Sequence, residues 1–201
     1  MLLESVCVYC GSSPGRSPAY LAAAEKLGTE LASRNIRLVY GGAKVGLMGA
    51  VAQAVLDGGG KVTGIIPESL AEQEVAFTGL DDLIVVDSMH TRKAVMADKA
   101  DGFVALPGGF GTLDESFEIL TWAQIGLHAK PFGLLNINGY YDQLLSFLDH
   151  TVEEMFVYAP HRDLVMHAGD CADLLNRMAA YERAPVKKTE WVRAMKKHKR
   201  A

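Results

Sequence analysis

A glycine-rich segment with an acidic end is the strongest chemical signal in this chain. It reads P-G-G-F-G-T-L-D-E at residues 107–115, between an apolar run and a helical pattern. Closely spaced glycines let backbone N–H groups approach a ligand, and the helix that follows presents unpaired N–H groups with partial positive charge. We therefore predict that Gly108, Gly109, Gly111 and Thr112 bind a phosphate group.

The same segment has a purely structural alternative. Thr112 could cap the start of the helix, with Glu115 three residues later completing a capping box. That alternative explains these two side chains, but it leaves three glycines within four positions without a reason. The sequence therefore favours phosphate binding at this turn.

A second segment also points to an anionic ligand. It reads S-M-H-T-R-K at residues 88–93, and its serine is the predicted N-cap of a helix that reaches about residue 99. Two adjacent cations, Arg92 and Lys93, oppose the helix macrodipole in the first turn unless an anion binds among them. Two solvated basic side chains are the alternative; with a phosphate turn nearby, we predict that Arg92, Lys93 and Met89 face the ligand.

Strands and helices alternate along the chain and must position these segments. Continuous apolar, β-branched runs are typical of strands buried on both faces, so they predict a three-layer α/β fold with a parallel sheet between helices. Helical spacing is clearest between residues 20 and 31 and again over 45–57, where a glycine triplet ends the pattern. The predicted strands cover residues 5–9, 36–40, 62–66, 83–86, 103–106, 132–135 and 164–166.

The predicted ligand residues follow strands, as an open parallel sheet requires. Such sheets bind ligands beyond the carboxyl ends of their strands. Gly11, Ser12 and Ser13 follow the first predicted strand, and Gly41 and Gly42 follow the second. We expect these turns to form a single crevice with the two segments described above.

Composition and charge limit the classes of function. The 201 residues are 49% hydrophobic and 22% charged, which predicts one globular domain over residues 1–183. The net charge of −4 is divided unevenly, because residues 184–201 carry +6 and the rest carries −10. We interpret residues 184–201 as a basic, solvated tail. An acidic body argues against nucleic acid as a partner.

Features that the sequence lacks predict the cellular compartment of the protein and whether it binds a metal ion. No apolar run approaches the roughly 20 residues of a membrane span, and no basic segment leads into an apolar one at the N-terminus. Three cysteines are an odd number, so no disulfide framework can be read. We therefore expect a cytoplasmic protein without a membrane partner. No metal-binding spacing of Cys, His or carboxylates occurs, so we expect no metal and no cofactor.

These motifs together resemble the LONELY GUY family of cytokinin riboside 5′-monophosphate phosphoribohydrolases, which are often labelled lysine decarboxylases. The resemblance covers roughly residues 4–182. It rests on C-G-S-S, Y-G-G-A-K-V-G-L-M-G, S-M-H-T-R-K, P-G-G-F-G-T-L-D-E and T-W-A-Q-I-G-L-H-A-K-P. Departures are small: Asp114 stands where many members have glutamate, and Ala43 where some have glycine.

The resemblance implies a Rossmann-like, doubly wound homodimer that hydrolyses the N-glycosidic bond of a nucleoside 5′-monophosphate. Arg92 and Glu115 match the essential pair of the family. The carboxylate would stabilise the positive charge that develops on the ribose and orient the attacking water. Two alternatives remain: a noncatalytic nucleotide-binding module on the same fold, and a pyridoxal phosphate-dependent decarboxylase. The sequence leaves the preferred base open.

Overall fold

A computed structural model describes residues 3–71 and 76–182 of the chain. The predicted basic tail, residues 184–201, lies outside the described residues, as does the boundary proposed for it. Within the described ranges, no helix is long and apolar enough to cross a membrane. Cys7, Cys10 and Cys171 are buried free thiols.

Seven parallel strands form one sheet in the order β4-β3-β2-β1-β5-β6-β7. Every strand predicted from the apolar runs is present, with ends that shift by at most one or two residues. All the strands pair in parallel with their neighbours, as the continuously apolar pattern predicted. The strands are β1 (Ser5–Tyr9), β2 (Arg37–Tyr40), β3 (Val62–Pro67), β4 (Asp82–Val86), β5 (Gly102–Ala105), β6 (Phe132–Leu135) and β7 (Val165–Ala168).

Helices cover both faces of the sheet and give two separate cores. One core packs α1, α2 and α8 on the sheet, and the other packs α4, α5 and α6 on its opposite face. The predicted three-layer α/β architecture is therefore confirmed. The helices are α1 (Pro18–Ser33), α2 (Gly46–Asp57), α3 (Glu68–Ala71), α4 (Met89–Asp98), α5 (Phe110–Ile125), α6 (Asp142–Glu153), α7 (Ala159–Arg162) and α8 (Cys171–Ala179).

Two helix starts that matter for the site can be compared with the sequence. The predicted N-cap of α4 is confirmed, because the Ser88 side chain accepts a hydrogen bond from the N–H of Thr91. The capping box that the sequence offered as the alternative for α5 does not form. Helix α5 begins at Phe110 with Gly109 as its N-cap, so Thr112 already lies inside the first turn. Glycine provides no side-chain cap, which leaves the first N–H groups of α5 without one.

The strand order reverses at β1, which pairs with β2 on one side and with β5 on the other. A crevice opens at such a reversal, beyond the carboxyl ends of the two strands. The turns that follow β1 and β5 touch each other there, because the N–H of Gly11 donates to the carbonyl of Pro107 at 3.1 Å. The fold thus places the predicted phosphate turn at the reversal point.

Candidate active site

A buried ion pair joins the helices α4 and α5. Arg92 is 7% exposed and Glu115 is 9% exposed. Arg92 Nη1 lies 3.1 Å from Glu115 Oε1, and Arg92 Nε donates to the carbonyl oxygen of Ile65 at 3.1 Å. The two residues that the family resemblance pairs therefore contact each other directly. They lie on the helices that follow β4 and β5.

Gly41 gives the guanidinium of Arg92 the space that it needs. A Cβ atom on Gly41 would lie 1.9 Å from Arg92 Nη2 and 2.4 Å from the terminal methyl group of Met48. A larger residue at position 41 would therefore displace the side chains of Arg92 and Met48. The glycine that follows β2 thus has a steric role beside Arg92.

Burial is the largest influence on the pKa of the Glu115 carboxyl group. Burial raises the pKa of Glu115 above its ordinary value of 4.5, and the attraction of Arg92 offsets this only in part. Asp114 also raises the pKa of Glu115, while Lys93 lowers it. The carboxylate is therefore less stable in the folded protein than a free one, and a cation that develops near it would be strongly attracted.

Lys93 lies next to Arg92 but already has two anionic partners. Its Nζ atom is 3.2 Å from Asp114 Oδ2 and 3.1 Å from Glu118 Oε2, both on α5. The charge of Lys93 is therefore compensated within the protein. In this arrangement, Lys93 holds α4 to α5 beside the buried pair, and it does not present a free cation to the crevice.

The phosphate turn presents glycines to open space. A Cβ atom on Gly109 or Gly111 would meet no atom within 4 Å. Gly108 differs, because a Cβ there would lie 2.0 Å from Thr112 Oγ1 and 2.9 Å from the N–H nitrogen of Gly11. The N–H groups of Phe110, Gly111 and Thr112 lie in the first turn of α5 and have no intrahelical acceptor. An anion can approach them from the open side.

The carbonyl groups before this helix are tied to other segments. Tyr141 Oη donates to the carbonyl of Leu106 at 2.6 Å, and Tyr140 Oη donates to that of Gly108 at 2.6 Å. The carbonyl of Pro107, between them, accepts the N–H of Gly11. Neither tyrosine was predicted as a site residue, although two adjacent aromatic residues soon after β6 are a visible signal in the sequence. The bond from Tyr140 occupies an exposed acceptor at the turn, where a free carbonyl would repel an anion, whereas the bond from Tyr141 satisfies a buried carbonyl.

The other predicted site residues border the same edge of the sheet. Ser12 and Ser13 are exposed beyond β1, and Met89 is exposed at the start of α4. Gly42 has a positive φ of 76°, which favours glycine, and its carbonyl accepts the N–H of Phe77. Direct contact of these residues with a ligand stays a prediction.

A bound metal ion would need several His, Cys, Asp or Glu side chains close together. Across the part of the chain that the structure describes, no three His, Cys, Asp or Glu side chains lie close enough together to hold a metal ion. Positive charge at the site includes the partial charge at the N-terminus of α5 and the charge of Arg92, which is paired with Glu115.

Fold and site together define a Rossmann-like protein with an uncapped, glycine-rich turn beside a buried arginine and glutamate. A family model described as "Possible lysine decarboxylase" matches residues 48–178. The chain belongs to this family and, within it, to the LONELY GUY group, as the motifs predicted.

Relatives in plants are similar over most of the chain. The cytokinin riboside 5′-monophosphate phosphoribohydrolase LOG3 of Arabidopsis thaliana is 51% identical over 176 residues, which cover 88% of this chain and 82% of that protein. A probable enzyme of the same name from Oryza sativa subsp. japonica, LOGL5, is 50% identical over 90% of this chain and 73% of its own length.

Solved structures with the same fold include carriers of the molybdenum cofactor. The molybdenum cofactor binding protein of Rippkaea orientalis has a TM-score of 0.68 at 23% identity, over 90% of this chain and 98% of its own. The Moco carrier protein of Chlamydomonas reinhardtii has a TM-score of 0.66 at 22% identity, over 88% and 97%. At these identities the likeness confirms the fold alone.

We expect Glu115→Gln to separate stability from activity. Because the pKa of Glu115 is raised on folding, its stabilising effect is complete below pH 4.5 and is lost as pH rises through the folded pKa. Glutamine resembles the neutral form and keeps an oxygen that can accept from Arg92 Nη1, but it leaves the buried charge of Arg92 without its anion. These two effects oppose each other, so at pH 7 the variant should stay folded, with a melting temperature close to that of wild type. Its turnover of a nucleoside monophosphate should fall by about 100-fold or more, because the charge is lost.

Asp114→Asn is the matched control, since it removes an exposed carboxylate from the same turn of α5. It should keep turnover within a few-fold of wild type. Wild-type turnover in Glu115→Gln, measured by chromatography of the released base, would contradict a catalytic role for Glu115.

Proposed function

We propose that this protein hydrolyses the N-glycosidic bond of purine nucleoside 5′-monophosphates, including cytokinin ribotides, to free base and ribose 5-phosphate. The observation that carries the proposal is the buried contact between Arg92 and Glu115 beside an open anion-binding turn. The names of relatives at about 50% identity, cytokinin riboside 5′-monophosphate phosphoribohydrolases, support the same reaction.

The phosphate is the anchor of the substrate. The first N–H groups of α5, at Phe110, Gly111 and Thr112, bind its oxygens, and the helix dipole adds to the attraction. Glu115 follows Thr112 by three residues, an axial rise of about 4.5 Å along the same helix. Binding energy from the phosphate therefore fixes the ribose relative to the carboxylate that acts on it.

The reaction breaks the bond between the anomeric carbon of ribose and a base nitrogen. The departing base takes the bonding electron pair, and the ribose ring develops positive charge. Glu115 stabilises that charge and orients the water that supplies a hydroxyl group to the anomeric carbon, while the remaining proton goes to the base. Arg92 holds Glu115 in place and contacts the ribose or phosphate oxygens.

The decarboxylase alternative requires a lysine that forms a Schiff base. A neutral amine is needed for that step. Although burial lowers the pKa of Lys93, its bonds to Glu118 and Asp114 outweigh this and raise the pKa above its ordinary value. The lysine next to the catalytic arginine is therefore held in the charged form, which disfavours pyridoxal phosphate chemistry there.

AMP should be hydrolysed much faster than adenosine. Without a phosphate, the ribose loses its anchor, so kcat should fall as well as KM rise, and kcat/KM should be at least about 100-fold lower. ATP should also react more slowly, because its terminal phosphates must fit beside the same turn. Chromatography of released adenine measures all three rates.

Equal kcat/KM for AMP and adenosine would contradict the anchoring role of the phosphate. Binding of AMP without any release of adenine would favour a noncatalytic nucleotide-binding module. A panel of monophosphates with adenine, N6-prenylated adenine and guanine identifies the base.

Activity should persist in EDTA. The proposed charge stabilisation comes from Arg92, Glu115 and the N-terminus of α5, and none of these requires a divalent ion. Abolition of AMP hydrolysis by the chelator, with recovery on addition of Mg²⁺ or Zn²⁺, would overturn this part of the proposal.

We further propose that the protein is a cytoplasmic homodimer with no nucleic acid or membrane partner. Exposed apolar side chains support the dimer, since the described surface carries Phe110 at 94% exposure, with Ile125 and Leu127 also exposed at the far end of α5. A second copy of the chain could cover these residues. Three buried free thiols accord with a reducing compartment.

Light scattering should therefore give a mass close to twice the 21.7 kDa of one chain. Replacement of Ile125 and Leu127 by serine should weaken the dimer if the end of α5 lies in the interface. A monomer of wild-type protein at micromolar concentration would contradict the proposed assembly.

A further inference from the structure

Tyr140 lies beside the predicted phosphate turn, residues 107–112, and the reaction proposed above does not use it. Its side chain is 43% exposed, and its hydroxyl donates to the carbonyl of Gly108 at 2.6 Å. We propose that Tyr140 is a positioning residue, whose hydroxyl orients the N–H of Gly109 toward the bound phosphate. This inference rests on the proposed function, because it concerns the anion that the turn binds.

The peptide unit between Gly108 and Gly109 links the position of the Gly108 carbonyl to the direction of the Gly109 N–H. The peptide between Gly108 and Gly109 is planar and trans, so its C=O and its N–H point in opposite directions. Tyr140 fixes the C=O on one side, and the N–H of Gly109 is thereby directed to the other. Glycine on both sides of this peptide leaves it free to rotate if nothing holds it. One tyrosine hydroxyl thus selects the orientation of one backbone donor.

The segment that carries this donor is accessible to a ligand, because Gly109, Phe110 and Gly111 are all exposed. A Cβ atom on Gly109 would meet nothing within 4 Å, and Gly109 precedes the first turn of α5 as its N-cap. Its N–H can therefore join those of Phe110, Gly111 and Thr112 around a single anion. A rotated peptide would place the Gly108 carbonyl toward the same anion, where it would repel it.

Tyr141 provides an internal comparison. Its hydroxyl makes an equally short bond, 2.6 Å, to the carbonyl of Leu106. The peptide that follows Leu106 belongs to Pro107, which has no N–H to orient. Tyr141 is also only 2% exposed, whereas Tyr140 is accessible. The two hydroxyls therefore have different tasks: that of Tyr141 satisfies a buried carbonyl, and that of Tyr140 orients a donor.

Removal of either hydroxyl should leave the aromatic rings in place. The ring of Tyr140 contacts those of Tyr20 and Tyr141 edge to face, with centroids 5.6 and 5.0 Å apart. These contacts do not use the hydroxyls. Phenylalanine at either position keeps them, so Tyr140→Phe and Tyr141→Phe are matched single-atom deletions.

The test is calorimetric binding of ribose 5-phosphate and of inorganic phosphate to the full-length wild type and the two variants. Tyr140→Phe should raise the dissociation constant of both anions by about 3- to 10-fold, the size of effect expected from one misoriented donor, with an unchanged melting temperature. Tyr141→Phe should bind both anions as wild type does but melt at a lower temperature, because a buried carbonyl loses its partner.

Steady-state kinetics add a readout that a purely structural role would not move. In Tyr140→Phe, KM for AMP should rise by the same 3- to 10-fold as the dissociation constants, while kcat/KM for adenosine, which lacks the phosphate, should not change. A parallel loss for AMP and adenosine would overturn the proposal.

The remaining outcomes are also decisive. Wild-type anion affinity in Tyr140→Phe, or an equal loss of affinity in Tyr141→Phe, would contradict the assignment, as would a wild-type protein that binds neither anion. Failure of the proposed function is distinguishable: if AMP is bound but not hydrolysed, the anion-binding measurements still apply, and the selective effect of Tyr140→Phe would still support the positioning role.

Discussion

Arg92 and Glu115 are two opposite charges removed from water, and each would be costly in that place without the other. Truncation of one partner, which leaves the other charge buried without its hydrogen bond, destabilises a protein by about 3–5 kcal/mol. Here the pair is bound across two helices, with a further bond from Arg92 to the carbonyl of Ile65. Burial still raises the pKa of Glu115, so the charge is maintained at a cost to stability. Such a cost is typical of groups retained for chemistry.

Much of the local structure serves to make this contact possible. The reversal of strand order at β1 brings the turns after β1 and β5 together. Gly41 leaves room for the guanidinium, and the bonds of Lys93 to Asp114 and Glu118 hold α4 against α5 one residue away from the pair. Gly41 and Lys93, which the sequence predicted as ligand contacts, thus lie directly beside the buried pair.

In the predicted phosphate turn, the backbone carbonyl groups have hydrogen-bond donors, whereas the first backbone N–H groups of α5 have no acceptor within the helix. The carbonyls of Leu106, Pro107 and Gly108 each accept a bond from another segment. The first N–H groups of α5 have no intrahelical acceptor, and Gly109, Phe110 and Gly111 are exposed. Anchor and reacting group then lie one turn apart on a single helix. A rigid helix is a precise way to keep that separation, because its rise per residue is fixed.

The sequence predicted the sheet well because strands buried on both faces are continuously apolar, and this signal is local. It also predicted the Ser88 cap, whose partner Thr91 is three residues away. The threonine cap that the sequence offered as an alternative for α5 does not form, because the helix already begins at Phe110 with Gly109 as its N-cap. The pairing of Lys93 and the bond of Tyr140 depend on contacts 21 and 32 residues apart in sequence, which local patterns do not contain.

A crystal structure of the protein with ribose 5-phosphate bound tests the central claim most directly. We expect the phosphate within hydrogen-bond distance of the N–H groups of Phe110, Gly111 and Thr112, with the ribose next to Glu115 and the contact between Arg92 and Glu115 intact. A phosphate bound away from the start of α5, or a ribose that does not reach Glu115, would contradict it.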